Sequence, residues 1–178
     1  LGLKIKSFNG CSVDESFTSE IEKRLMLGNS IEKIEDANQL VDIKNFHLDR
    51  IKSLFDIDFI SNRLKKMKLR IFVDSMHGSA ANCMADIFAS NDSEVISEIR
   101  KNSDPFFGGK PPEPLLNYVD DLNQILIKNS TNEVKTLGII FDGDGDRIAA
   151  IDEKGRYSST QDLLPYFISY LGEIKNNS

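Results

Sequence analysis

The residues most able to do chemistry form one short run, Asp142-Gly143-Asp144-Gly145-Asp146-Arg147. It directly follows an apolar stretch, Leu137-Gly138-Ile139-Ile140-Phe141, that reads as a buried strand. Three carboxylates at alternating positions repel one another. At ~5 Å and an effective dielectric of ~20, each pair costs about 3 kcal/mol. Such a loop is stable when it is solvated or when it holds a cation. Gly143 and Gly145 free the backbone to turn, so that three side chains can converge. Hard oxygen donors at this spacing suit Mg²⁺ or Ca²⁺. The alternative is a solvated acidic turn, and the position straight after a buried strand argues against it.

The elements that must hold this loop follow from the pattern of the chain. Residues 1–8 alternate apolar and basic, as a strand does. Ser12 or Asp14 can cap a helix with Phe17, Ile21 and Leu25 on its apolar face. Residues 28–45 are polar and mixed, with Gly28-Asn29 as a stop signal. A second helix is expected over about 46–66, with a basic end that suits the helix dipole. From Leu69 the pattern alternates: strand 69–74, loop Ser75–Gly78, a helical stripe through Ala80, Met84 and Ile87, then strand 94–100. A Pro/Gly-rich loop spans 104–114. A helix through Leu115 and Leu126, strand 134–141, strand 148–151, a turn at Glu153-Lys154-Gly155 and a helix over 162–172 complete it. Asp162 is expected to cap that last helix, with Pro165 in its first turn. Strand-helix-strand-helix-strand predicts an α/β fold with a mostly parallel sheet and crossover helices. Ligands of such sheets sit at the carboxyl ends of strands, where the loops 75–78 and 142–147 fall. A boundary is expected near residue 66, giving domains 1–66 and 67–178, the first being the strand and helix tail of another α/β domain.

Bulk composition narrows the function classes. With 28 acidic against 22 basic side chains the net charge is −6, which does not favour nucleic acid or an anionic membrane but tolerates a metal cation. No apolar stretch is long enough for a membrane span, and no basic-then-apolar segment marks a signal peptide. Cys11 and Cys83 lie in no metal-ligand spacing and read as reduced thiols of a cytoplasmic protein. The chain opens without Met, in the middle of a strand pattern, which reads as a piece of a longer protein.

Three families carry loops of this type. In the EF-hand, Asp142, Asp144, Asp146 and Glu153 would fill positions one, three, five and twelve, but position six requires Gly and holds Arg147, and a strand rather than a helix precedes. The haloacid-dehalogenase phosphatases have an apolar strand followed by Asp-x-Asp-Gly-Thr. Here Asp146 replaces the Thr, and too little chain follows for the later motifs. The α-D-phosphohexomutases (phosphoglucomutase/phosphomannomutase) have a metal loop Asp-Gly-Asp-x-Asp-Arg, matched at every fixed position by Asp142–Arg147. Further segments agree in order. Leu1-Gly2-Leu3-Lys4-Ile5 resembles the family's Asn-Gly-hydrophobic-Lys. Val73-Asp74-Ser75-Met76-His77-Gly78 resembles the strand and turn opening its second domain. Asp104-Pro105-Phe106-Phe107-Gly108-Gly109-Lys110-Pro111-Pro112-Glu113-Pro114 resembles its Asp-Pro-x-Phe-Gly-Gly-x-x-Pro-Glu-Pro segment.

The resemblance implies an isomerase that moves phosphoryl between the 1- and 6-positions of a hexose phosphate through a phosphoserine, with Mg²⁺ as cofactor. It makes Asp142, Asp144 and Asp146 the Mg²⁺ ligands and points Arg147 at phosphoryl oxygens, where a guanidinium fork fits. It also implies partners: the hexose phosphate and the remaining domains of the same enzyme, with no nucleic acid and no membrane. The family's Thr-Ala-Ser-His-Asn-Pro loop, its sugar-selecting Gly-Glu-x-Ser loop and its distal phosphate loop have no counterpart here, and Leu1 stands where the family has Asn. Neither Ser75 nor Ser79 has the context of the nucleophile, so the chain alone is expected to be inactive. His77 reads as a polar residue at a strand-helix turn or as a general base. His47 reads as a surface residue, Lys4 as a motif lysine or an exposed strand lysine, and Phe106 and Phe107 as loop anchors or a sugar platform. A free-standing Mg²⁺- or phosphate-binding module without catalysis and a haloacid-dehalogenase-like phosphatase are the other functional readings.

Overall fold

A computed structural model describes residues 4–28, 42–88 and 95–176. The chain divides into two compact units, residues 1–41 and 42–178. In the first, Lys6 and Ser12 form an isolated antiparallel bridge, and helix α1 spans Glu15–Met26. Asp14 caps it, accepting from the Phe17 amide at 3.0 Å, and Gly28 closes it in the left-handed region. The expected strand over 1–8 is reduced to that bridge. Residues 1–3, with the opening of the Leu1–Ile5 motif, and most of the polar stretch 28–45 lie outside the described residues. The apolar face of α1 buries nothing; Phe17 and Leu25 are exposed.

The second unit starts with α2 (Ile43–Leu54) and α3 (Ile57–Lys66). These two replace the single helix expected over 46–66. Phe55 turns to extended backbone, and the Asp56 carboxylate accepts from the Phe59 amide at 2.8 Å, capping a new helix. Both helices pack on the sheet: Leu48, Ile51, Ile57, Ile60 and Leu64 share a core with Ile71, Val73, Ile87 and Ile96. The compact unit begins at Asp42, and these two helices cover this face of its sheet.

The strands are β1 (Leu69–Asp74), β2 (Ile96–Ile99), β3 (Lys135–Phe141), β4 (Ile148–Asp152) and β5 (Tyr157–Ser158), in the order β2-β1-β3-β4-β5. β2, β1 and β3 run parallel; β4 and β5 are antiparallel additions. The crossovers are α4 (Cys83–Phe88) and α5 (Asp120–Asn129). The pleat of β1 sends Ile71 and Val73 toward the α2–α4 layer and Phe72 toward α5, where Val119, Leu122, Leu126, Ile140 and Ile151 close a second core. Gly138 is required there: a Cβ would stand 2.7 Å from Ile151 Cγ2 and 2.8 Å from Leu122 Cδ2. The last helix, α6, spans Thr160–Asn176. Its cap is Ser159, whose Oγ accepts from the Asp162 amide while the Asp162 carboxylate accepts from the Ser159 amide. Asp162 is thus the returning arm of a capping box rather than the cap. No helix among the described residues is long and apolar enough to cross a membrane. Cys11 and Cys83 are both free thiols.

Candidate metal centre

The loop 142–147 is the connection of an antiparallel hairpin, closed by the pairing of Phe141 with Ile148. Its turn is tied internally: the Asp142 amide donates to Arg147 O at 3.3 Å and the Gly145 amide to Asp142 O at 3.2 Å. Gly145 is left-handed (φ +76°), which removes the side-chain strain the turn would otherwise carry. Asp142 is buried, and Asp144 and Asp146 are exposed, yet one carboxylate oxygen from each lies within 4.8 Å of the others. Opposite oxygens are ~4.2 Å apart around Mg²⁺ and ~4.8 Å around Ca²⁺, so the donor set fits a hard divalent cation.

The loop also rests on two neighbours. Gly143 donates its amide to Pro112 O and accepts at its carbonyl from the Ser79 amide, both at 3.0 Å. A Cβ on Gly143 would meet Pro112 Cγ at 2.9 Å and Phe107 Cε1 at 3.1 Å. A Cβ on Gly78 would stand 2.4 Å from Gly143 O. Three backbones converge there, which is why the Pro112 and Phe107 segments accompany the loop. Phe107 is therefore an anchor under the loop, while Phe106 is exposed.

Arg147 is half-exposed. Its Nε donates to Asp142 Oδ2 at 2.8 Å, its amide donates to Asp142 Oδ1 at 3.0 Å, and Asp146 Oδ1 lies 4.0 Å from Nε. Burial pushes the Asp142 carboxyl up, but the Arg147 amide and guanidinium outweigh it, so it is held below the usual carboxylate range. The guanidinium is held charged first by Asp142, with Glu113 and Asp146 adding to it. Its two Nη groups make no hydrogen bond to a described residue.

His77 does not join the carboxylates. Its Nδ1 is 2.7 Å from Asn102 O, which makes that nitrogen the donor, and its ring packs against Gly108. His47 is exposed on α2, as expected of a surface residue, and lines a cavity of about 260 Å³ with Ser79, Cys83, Asp144 and Gly145. Ser75 is buried, and its hydroxyl has no partner among the described residues. Ser79 lies against the loop, its Oγ 3.4 Å from where a Cβ on Gly145 would be. Sequence reasoning missed the pairing of Asp74 with Arg100, two residues in different strand ends joined by a bidentate ion pair. No motif spacing links them; only the parallel pairing of β1 with β2 brings them together.

The family model for phosphoglucomutase/phosphomannomutase, alpha/beta/alpha domain II, matches residues 45–155. The chain belongs to that family. Among relatives of this phosphohexomutase chain, a phosphoglucosamine mutase of Methanococcus vannielii is 28% identical over 179 residues, covering 98% of this chain and 38% of the relative. Phosphoglucomutase 1 of Drosophila melanogaster is 27% identical over 141 residues, covering 76% and 24% respectively. The chain thus spans well under half the length of these relatives. Parafusin, a phosphoglucomutase of Paramecium solved in an open form, aligns over 86% of this chain and 32% of its own with a TM-score of 0.63. At 21% identity that likeness speaks for the fold alone. The matched stretch begins in α2 and ends at Gly155, so it takes in most of α2, all of α3, strands β1 to β4 and the acidic loop 142–147.

Proposed function

We propose that this chain supplies the metal centre of a phosphohexomutase, an isomerase that shifts phosphoryl between the 1- and 6-positions of a hexose phosphate by way of a phosphoserine carried elsewhere in the enzyme. The observation that carries the reading is the convergence of Asp142, Asp144 and Asp146 at the carboxyl end of β3, in a chain of that family. These three carboxylates would hold Mg²⁺, which when bound offsets negative charge on a transferring phosphoryl group. Arg147 spends Nε on Asp142 and has two Nη groups to offer phosphoryl oxygens, the bidentate arrangement in which arginine outperforms lysine. Gly78, Gly143 and Pro112 hold the loop backbone so that the carboxylates need little rearrangement to bind the ion. On this reading the partners are the hexose phosphate and the remaining domains of the enzyme. The setting is the cytoplasm, where thiols such as Cys11 and Cys83 stay reduced. The 178 residues alone would not turn over a sugar phosphate.

Calorimetric titration of the chain with Mg²⁺ and Mn²⁺ tests the centre. One ion should bind per chain, and changing Asp142, Asp144 and Asp146 together to Asn should abolish binding. Equal binding by that variant rules the assignment out. Turnover of glucose 1-phosphate by the isolated chain, unaffected by the same changes, would overturn the division of labour.

A further inference from the structure

Asp74 ends β1 with its carboxylate fully buried, and three donors converge on it. Arg100 Nε donates to Oδ1 at 2.8 Å, Arg100 Nη2 to Oδ2, and the Met76 amide to Oδ1 at 3.0 Å. Arg100 is itself fixed twice more: Nη2 donates to Tyr118 O at 3.1 Å, and its carbonyl accepts from the His77 amide at 2.8 Å. The segment between these contacts is held against its preference. Met76 (φ +45°), His77 (φ +59°) and Arg100 (φ +47°) are all left-handed without being glycine. Non-glycine residues stay in that region only where surrounding contacts over-determine them.

What this held turn presents to the rest of the molecule is Gly78 and Ser79. Gly78 lies so close to Gly143 that no Cβ fits between them, and the Ser79 amide holds Gly143 O at 3.0 Å. Gly143 sits between Asp142 and Asp144. The position of that peptide sets the spacing of the two carboxylates. We infer that Asp74 and Arg100 are positioning residues for the metal loop: their buried ion pair fixes the 75–79 turn, and the turn fixes Gly143. The inference rests on the metal-centre reading above. A purely structural ion pair would contribute to stability and leave the geometry of the carboxylates untouched.

The test compares Asp74→Asn, Arg100→Lys and Gly78→Ala with Thr136→Val. Thr136 is buried near the start of β3, and its hydroxyl donates to Leu126 O at 3.1 Å, so its replacement lowers stability at the far end of the strand. Two quantities are read below the melting transition of each variant: Mn²⁺ affinity by calorimetry and hydrogen exchange of the Ser79 amide. Residues that orient metal ligands from behind typically change affinity by tenfold or more, so Asp74→Asn should weaken Mn²⁺ binding about tenfold and speed Ser79 exchange by a similar factor. Arg100→Lys keeps the charge but loses the fork, and should fall between Asp74→Asn and the unaltered chain. Thr136→Val should move neither quantity more than about twofold. A folded Asp74→Asn chain with unaltered Mn²⁺ affinity and unaltered Ser79 exchange overturns the inference. Should Asp74→Asn fail to fold, Gly78→Ala decides, because its methyl group presses on Gly143 while both cores stay intact; unaltered metal affinity there also overturns it. Should the unaltered chain bind no metal, the metal-centre reading falls, and Ser79 exchange alone judges whether the pair positions the loop.

Discussion

Replacing Arg147 with Gln separates the roles of charge in the loop. In the metal-free chain Asp142 is buried and its Oδ2 accepts from Arg147 Nε at 2.8 Å, while its Oδ1 keeps the backbone amide of residue 147 in either variant. A hydrogen bond between charged groups is worth about 1.5–3 kcal/mol when buried. The Arg147 side chain is 50% exposed, so solvent screening brings the figure down toward the surface range. About 1–2 kcal/mol remains for Arg147→Gln without metal. At ~2–4 °C per kcal/mol for a chain of this size, the melting temperature should fall by about 2–8 °C. Saturating Mg²⁺ should shrink that deficit, since the ion supplies Asp142 with the positive charge the variant lacks and no longer has a guanidinium to compete with. Melting curves in chelator and across a Mg²⁺ series read both values from one preparation. A deficit of the same size with and without Mg²⁺ would refute the idea that guanidinium and cation share one carboxylate. No deficit in chelator would refute the estimate for the ion pair.

If Arg147 meets the phosphoryl group as proposed, Arg147→Lys in an active enzyme carrying this domain should lower kcat about 10- to 100-fold with KM changed only a few-fold, because a point charge replaces a fork; unchanged kcat in steady-state kinetics, with a lowered melting temperature, would reduce Arg147 to a structural partner of Asp142. Gly138→Ala should cost about 1–3 kcal/mol through overpacking against Ile151 and Leu122, only partly offset by a stiffer unfolded chain, and urea denaturation measures it. Burial pushes the Asp152 carboxyl up, yet the side chain and amide of Arg156 with the amide of Lys154 hold it below its ordinary value. Its stabilisation is therefore present above a pH of about 4, the unfolded value, and is lost as pH falls through the lower folded value. Urea denaturation at pH 5 and pH 3 should show a smaller acid loss for Asp152→Asn than for the unaltered chain.

Local signals in the sequence determined the carboxylate triad, the strand that delivers it and the alternation of strands and helices from Leu69 onward. Each of these depends on residues close together in the chain: Asp142–Arg147 is one turn, β3 is one apolar run, and Asp14 caps the helix beside it. The break between α2 and α3 was equally local, since Asp56 is a capping residue, but the apolar stripe running through both helices hid it. The extent of the folded unit was a different matter. Whether residues 43–66 belong with the sheet depends on which face of β1 and β2 lacks cover, and Leu48, Ile57 and Leu64 fill that face from far along the chain. The direction of β4 and β5 also escaped, because a short connection such as 142–147 reverses the chain only if both strands pair there. Only the tertiary structure decided how the acidic loop 142–147 is held. Pro112, Gly78 and Ser79 reach Gly143 from segments separated by dozens of residues, and Asp74 meets Arg100 across a parallel strand pair. Motif spacing records residues close together in the chain; contacts between distant segments, which orient those residues, leave no periodic trace in the chain and appear once the sheet has brought strand ends together.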